Sequence, residues 1–130
     1  MQDRPTAPEL LDAVREFIAT ELLPTVTDHR LRFRTLVAAN LLDMLGRELA
    51  LEPAQLRAEW ASLDALLGDS EAPPADAGAL ATALAARQAA LCVLIREGRE
   101  PAGTHAVLLQ TVRAKLDIAN PRYLSGFEPV

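Results

Sequence analysis

The spacing of the apolar residues is the feature that most constrains how this chain can fold. Large apolar side chains recur every three or four positions, as in Leu10, Val14 and Phe17, and this spacing places them on one face of an α-helix. Half of the residues are hydrophobic but only 4% are aromatic. Ala and Leu, which supply most of the apolar residues, favour helices, whereas strands are rich in β-branched and aromatic residues. The pattern therefore predicts an all-α protein.

Five segments carry this helical period, and local signals mark their ends. Thr6 and Glu9 have the spacing of a capping box at the start of the first segment. Pro53 is expected to begin the third segment and Gly68 to end it, because proline is favoured in the first turn and glycine just after the last. In chain order the predicted helices cover roughly residues 6–23, 28–49, 53–67, 77–97 and 104–119.

These segments predict one domain, residues 1–130, because the length suits a single hydrophobic core. The expected architecture is an antiparallel helical bundle of four long helices plus one shorter helix. A loop at about 68–79, rich in Pro and Gly, is expected to lie within this domain. The C-terminal tail, residues 120–130, holds two of the five aromatic residues and is expected to dock on the bundle.

Charge and cysteine content narrow the class of protein. The formal net charge of −5 argues against a general binder of nucleic acid or of anionic membranes. Cys92 is the only cysteine, so no internal disulfide can form and a reducing compartment is expected. The first residues lack the basic start and apolar run of a signal peptide. These observations predict a cytoplasmic protein.

Charged residues lie on the apolar stripe of the second predicted helix. Glu21 likewise lies on the stripe of the first helix, so a hairpin of the two helices would bring it near Arg30 or Arg34. We predict a buried ion pair between Glu21 and Arg34, because burying either charge alone would be prohibitive. The stripe of the second helix contains Val37, Leu41, Met44 and Leu45, and Arg30, Arg34 and Glu48 point in the same direction.

Arg87 and His105 are likewise polar residues on the apolar stripes of the fourth and fifth helices. Two explanations for the polar residues on these stripes remain open. Near the ends of a bundle, long side chains can reach water over apolar neighbours, which suits Arg30, Glu48 and His105. Alternatively, the basic groups line a pocket for a carboxylate or phosphate. The candidate anion-binding residues are Arg30, Arg34, Arg87, His105 and Arg122.

Motifs for catalysis are missing from the sequence. No serine lies in a G-x-S-x-G turn, and no phosphate-cradling or dinucleotide-type glycine pattern occurs. Neither His29 nor His105 belongs to a Glu-x-x-His metal pair. Cys92 falls inside the run ALCVLI and is expected to be a buried apolar residue. The sequence therefore predicts no catalytic residue, no metal and no cofactor.

Three stretches of the chain resemble a known family: DRPTAPELLDAVREFI (3–18), DHRLRFRTLVAANLL (28–42) and IANPRYL (118–124). They are similar to a bacterial group of small all-helical proteins, the domain of unknown function 6285. That family has no established activity, so the resemblance implies no catalytic residues. The resemblance does imply that the protein is encoded beside an aminoglycoside-phosphotransferase-like protein and an acyl-CoA dehydrogenase. The resemblance thus implies an accessory role near acyl-CoA or phosphorylated-acid metabolism.

Two classes of function compete. The first is a non-catalytic accessory protein that binds the phosphotransferase-like protein or the acyl-CoA dehydrogenase. The second is a small-molecule binder that holds an acyl-CoA, carboxylate or phosphate anion in an Arg-lined pocket. A DNA-binding helix-turn-helix fits poorly with the negative charge. We prefer the first class over the second, and we also expect a homodimer to be possible, because the helices carry more apolar surface than a small bundle needs.

Overall fold

The computed structural model describes residues 3–126, and its secondary structure is all-α, with no strand in that range. The predicted count of four long helices and one short helix is confirmed. The division of the chain among them differs from the prediction, because the second and third predicted helices are one helix and the short helix, Pro121–Leu124, lies in the predicted tail. The helices are α1 (Ala7–Glu16), α2 (His29–Leu67), α3 (Ala77–Arg96), α4 (Thr104–Ala119) and α5 (Pro121–Leu124).

The start of α1 is the predicted capping box. The Glu9 amide donates to the Thr6 hydroxyl oxygen, and the Thr6 amide donates to the Glu9 carboxylate at 2.7 Å. After α1 the chain continues through a π-helical segment, Phe17–Leu22, and a 3-10 turn, Leu23–Thr25. These segments carry the chain round into α2, which Asp28 caps by accepting from the Leu31 amide.

The prediction of separate second and third helices was wrong, because α2 is one helix of 39 residues with Pro53 inside it. Proline in a helix interior removes one backbone hydrogen bond and crowds the preceding turn, which normally breaks or kinks the helix. A helix of this length extends about 58 Å. It ends at Gly68, whose φ of 74° is the left-handed geometry that glycine adopts without strain.

The antiparallel packing of α4 along α2 accounts for the continuity across Pro53. On the N-terminal side of the proline, the Arg47 side chain donates to the Ile118 carbonyl oxygen at 2.7 Å. On the other side, Thr111 of α4 contacts Glu59 of α2. Because α4 holds α2 on both sides of the proline, tertiary packing overrides the local preference for a break.

Helix α2 runs through both halves of the molecule, and the two halves are built differently. In the N-terminal half, α1 packs antiparallel against α2, with an ion pair between Arg15 and Asp43 at 3.2 Å. In the C-terminal half, α3 and α4 both pack against the part of α2 that follows Pro53. We call the part of the molecule around α1 the N-terminal half and the part around α3 the C-terminal half.

The hydrophobic core lies wholly in the C-terminal half. Within residues 3–126 the buried apolar side chains come from the second part of α2 and from α3. The N-terminal half contributes a single buried side chain, Thr35, whose hydroxyl donates to the Leu31 carbonyl oxygen. The core residues are Trp60, Leu63, Leu80, Leu84 and Leu91.

Helix α3 is also the one described helix that is long and apolar enough to cross a membrane, judged by length and composition alone. A core helix of a folded domain passes the same test, and α3 supplies three of the five core leucine and tryptophan positions. Its middle carries Arg87, which is buried together with the core. Only 22% of the apolar 18-residue stretch of α3 is buried, so packing accounts for part of its apolar composition.

The chain closes with a tight change of direction between α4 and α5. Asn120 ends α4 and Pro121 begins α5, as the sequence predicts from the restricted geometry of a residue before proline. The Tyr123 amide donates to the Asn120 carbonyl oxygen at 3.0 Å. This turn brings the start of the tail beside α2; residues 127–130 lie outside the described residues.

Candidate binding surfaces

Arg87, one of the predicted anion-binding residues, is already surrounded by carboxylates. Its guanidinium lies 3.1 Å from Asp64, 3.0 Å from Glu71 and 3.6 Å from Asp69. The same group stacks 3.8 Å from the ring centroid of Trp60. The Trp60 indole in turn donates to the Glu71 carbonyl oxygen at 3.1 Å. Arg87 therefore fastens the loop after α2 to the core.

The electrostatics of this cluster leave no role for an exogenous anion at Arg87. Burial of the guanidinium acts to lower the pKa of Arg87, but the hydrogen bonds that it donates to Asp64 and Glu71 and the charges of Asp69 and Asp64 together raise that pKa above its ordinary value. A phosphate or carboxylate would have to displace these acids against their own charge. In the structure Arg87 serves as the counter-charge of these three acids, which is a structural role.

The predicted buried ion pair between Glu21 and Arg34 is not formed. Both side chains are exposed, and neither takes part in an ion pair within residues 3–126. Arg30 is exposed as well. Arg34 also lies far from Arg87. Arg87 stacks on Trp60, and Trp60 follows Arg34 by 26 positions along α2, which is about 39 Å. The structure therefore does not bring the predicted pocket of Arg30, Arg34 and Arg87 together.

The reason is that α1 covers a different face of α2 from the one that the helical wheel favours. Small residues and one leucine lie on the covered face, at the helical spacing of Thr35, Ala39, Leu42 and Gly46. Thr35 is buried and Ala39, Leu42 and Gly46 are half-buried, whereas the larger apolar stripe stays outside. Leu41 is 53% exposed and Leu45 is 47% exposed. The stripe was identified correctly, but its inward direction was wrong.

His105 and Glu48 complete the predicted polar positions. His105 is exposed in the first turn of α4, next to the buried Thr104, which agrees with a side chain that reaches water at a helix end. Glu48 is half-buried and makes no hydrogen bond within the described part of the chain. Neither residue joins Arg87 in a common pocket.

Arg122, the last predicted residue, lines a cavity of about 390 Å³ where α4 turns into α5 beside α2. We call this cavity the junction pocket. Its polar groups include Asn40 and Arg47 from α2, together with Asn120 and Arg122. Asp43 lies in the same wall, and its carboxylate is paired with Arg15. Apolar walls come from Val37, Leu41, Met44, Ala119 and Pro121.

The junction pocket joins two of the sequence blocks that carry the family resemblance. Residues 28–42 supply Val37, Asn40 and Leu41, and residues 118–124 supply the wall from Ala119 to Arg122. These blocks are far apart in the chain and meet only because α4 returns antiparallel along α2. Arg47 was expected to face solvent, and its contact with the Ile118 carbonyl shows that it helps to hold the two blocks together.

An apolar groove separates α3 from α4, which pack against α2 but not against each other. The groove has a volume of about 230 Å³. Glu59 closes one end by accepting hydrogen bonds from Gln88 at 2.5 Å and from Thr111 at 3.4 Å. Its apolar lining is Leu63, Leu91, Cys92, Ile95, Val107, Leu108 and Val112.

The sequence did not predict this groove. Cys92 was expected to be buried, but it is exposed and lines the groove, because α4 does not close over α3. The available signal is that α3 is apolar around most of its circumference, so it has more apolar surface than one contact with α2 can cover.

The described residues form an all-helical fold that carries an apolar groove and a polar pocket, and no group of metal-ligating side chains occurs among residues 3–126. The sequence profile of the domain of unknown function 6285 (DUF6285) matches residues 24–123. The chain belongs to that family. Comparisons with curated proteins and with solved structures found no match.

Proposed function

We propose that the protein is a non-catalytic accessory protein that binds an amphipathic helix of another protein in the groove between α3 and α4. The observation that carries the proposal is the groove itself, whose walls are apolar side chains of two helices with no close approach between their backbones. Recognition of a helix in such a groove uses apolar anchors at helical spacing. Its volume of about 230 Å³ lies below the usual range for small-molecule pockets and suits a few side chains of a partner helix.

The residues along the groove give the chemistry of the partner. Leu108 and Val112 are 41% and 51% exposed, so they are available to anchoring side chains. Lys115, the only lysine, lies at the end where Glu59 is already held by Gln88 and Thr111. A complementary helix therefore carries leucine-like anchors on one face and an acidic residue that meets Lys115.

The family resemblance supplies the two proteins to test first, the phosphotransferase-like protein and the acyl-CoA dehydrogenase. The full chain is mixed with each at micromolar concentration, and binding is measured by titration calorimetry. Leu108→Glu is expected to abolish binding, because it places a charge in the groove. Leu109→Glu is the matched control, since Leu109 is 49% exposed on the same helix outside the groove lining. Equal binding by the parent and Leu108→Glu contradicts the groove as the binding surface.

A second candidate function is anion binding in the junction pocket. Arg122 favours it, because its side chain lines a cavity whose volume of about 390 Å³ falls in the range of small-molecule sites. The amides of Asn40 and Asn120 add neutral hydrogen-bonding groups, while Asp43, paired with Arg15, disfavours a highly charged ligand. A single carboxylate or phosphate group is the chemistry that fits.

Thermal shift with inorganic phosphate, acetate and coenzyme A tests this second candidate. An anion that binds the parent is expected to raise its melting temperature and to leave Arg122→Met unchanged. Arg113→Met provides the control, because Arg113 is an exposed arginine of α4 outside the pocket lining. Absence of any shift in the parent, or the same shift in Arg122→Met, rules out the pocket as an anion site.

A further inference from the structure

The charged and apolar residues of the α2 stripe have a symmetric arrangement about Leu41. Val37 and Leu45 lie four positions before and after Leu41, and Arg34 and Glu48 lie seven positions before and after it. Arg30 and Glu52 follow at eleven positions. The stripe is thus basic at one end, apolar in the middle and acidic at the other. We use the name α2 stripe for Arg30, Arg34, Val37, Leu41, Leu45, Glu48 and Glu52.

The side of α2 that carries this stripe is open at Arg30, Arg34 and Leu45, whereas Val37 and Leu41 border the junction pocket and Glu48 and Glu52 border α4. One neighbouring side is covered by α1, which packs on the face that contains Thr35, and another faces the turn between α4 and α5. Arg30, Arg34 and Glu52 are exposed. None of the four charged side chains of the stripe forms an ion pair within residues 3–126, although Lys115 lines the same shallow cleft as Glu48 and Glu52.

We infer that two copies of the protein form an antiparallel homodimer by packing their α2 stripes around a two-fold axis at Leu41. In a two-fold interface the same surface serves both subunits, so a residue before the axis meets the residue equally far after it. Leu41 then packs on its own copy, and Val37 packs on Leu45 of the partner subunit. Arg34 meets Glu48 of the partner subunit, and Arg30 meets Glu52 of the partner subunit.

The charge pattern selects the antiparallel orientation. In a parallel pair, Arg34 would face its own copy and Glu48 would face its own copy, which places like charges together at both ends. The antiparallel pair exchanges each like-charge contact for an attractive one, and complementary charges fix orientation and register in helix pairs. The position of two arginines on an apolar stripe, which no contact within one copy explains, follows from this arrangement.

The length of the stripe suits a continuous helix pair. Residues 30–52 extend about 33 Å along α2, and Leu41 and Leu45 in this stretch are each about half exposed. Helix pairs with apolar residues three and four positions apart pack at a shallow angle, which keeps the contact continuous.

The oligomeric state of the full chain, measured by sedimentation equilibrium from 1 to 100 μM, tests the inference. The parent is expected to be dimeric, and Leu41→Glu monomeric with an unchanged helical circular dichroism spectrum, because Leu41 is exposed in one copy. Leu109→Glu, an equally exposed leucine of α4, is expected to remain dimeric. A monomeric parent, or a dimeric Leu41→Glu variant, overturns the homodimer.

Charge reversal tests the register. Arg34→Glu and Glu48→Arg are each expected to weaken the dimer roughly tenfold, because each dimer contains two copies of the pair. The double variant is expected to restore the parent affinity. A double variant as weak as the singles overturns the antiparallel register. The groove variant Leu108→Glu is expected to dimerise normally, so loss of partner binding and loss of dimerisation are separately observable.

Discussion

The two halves of the molecule share one helix but are stabilised in different ways. The C-terminal half surrounds α2 with two helices and buries Trp60 and four leucines. In the N-terminal half, α1 and the C-terminal end of α4 contact α2, and only Thr35 is buried among the described residues. Burial of apolar surface is the main source of folding free energy. The comparison therefore shows that a helix of 39 residues can obtain its stability at one end and present an uncovered surface at the other.

The largest expected effect distinguishes the halves by core packing. Leu63 is 2% exposed, and Leu63→Ala is expected to lower the free energy of unfolding by about 3 to 5 kcal/mol, since it leaves a cavity. Leu10→Ala in α1, where the side chain is 45% exposed, is expected to cost less than about 1 kcal/mol. Urea denaturation followed by circular dichroism measures both. Equal costs would show that the halves do not differ in packing.

Removal of the buried cation is expected to be the next largest effect. Arg87→Met leaves Asp64, Asp69 and Glu71 together without their counter-charge. We expect a loss of about 2 to 3 kcal/mol, below the value for a fully buried pair, because two of these acids are largely exposed. The fluorescence of Trp60, the only tryptophan, should change as the guanidinium leaves its ring. The variant Arg113→Met, at an exposed arginine, is the control. A similar loss of stability there would contradict the structural role of Arg87.

Replacement of the proline at the boundary between the halves should stabilise the protein. Pro53→Ala restores a backbone hydrogen bond in α2 and is expected to raise the free energy of unfolding by about 1 to 3 kcal/mol. Hydrogen exchange should then slow at amides on both sides of position 53. Ala58→Pro, which places proline in the same helix at an exposed site, is the converse control and should destabilise. A destabilising Pro53→Ala variant would show that α2 needs the proline for its path.

The smallest expected effect concerns the cap of α1 and depends on pH. Hydrogen bonds from the Thr6 backbone and side chain lower the pKa of Glu9 from its ordinary value of 4.5. A lowered pKa means that the contribution of Glu9 is fully present above pH 4.5 and is lost as pH falls through the folded value. Amide exchange in α1, followed by NMR from pH 6 downward, should report this loss. The Glu9→Gln variant should show a flatter pH dependence, whereas Glu16→Gln should match the parent.

Much of the fold could be predicted from local signals. The caps at Thr6, Asp28 and Gly68 and the end of α4 at Asn120 follow from side-chain chemistry within a few residues, so the sequence contains the information directly. The continuity of α2 could not be predicted in this way. It depends on α4, which lies fifty residues later and packs across Pro53, and no local pattern encodes that contact.

The binding surfaces were less predictable for a related reason. A helical wheel identifies the stripe that contains Leu41, but it does not identify which face a neighbouring helix will cover. The structure places α1 against the side of α2 that contains Asp43, the partner of Arg15, and leaves Leu41 exposed. Arg87 was recognised as an unusual polar residue on an apolar stripe, but two of its three acidic partners, Asp69 and Glu71, lie in a loop with no periodic pattern.

The unbroken course of α2 also fixes the rotational phase between its two ends. Each residue of an α-helix turns the chain by about 100°. Insertion of one alanine between Leu49 and Pro53 would therefore turn the face bearing Leu41 by that angle relative to the groove, whereas insertion of seven residues, close to two full turns, would nearly restore the original alignment. The spacing along this one rod thus sets the direction in which any protein held in the groove is presented relative to a second copy of the chain.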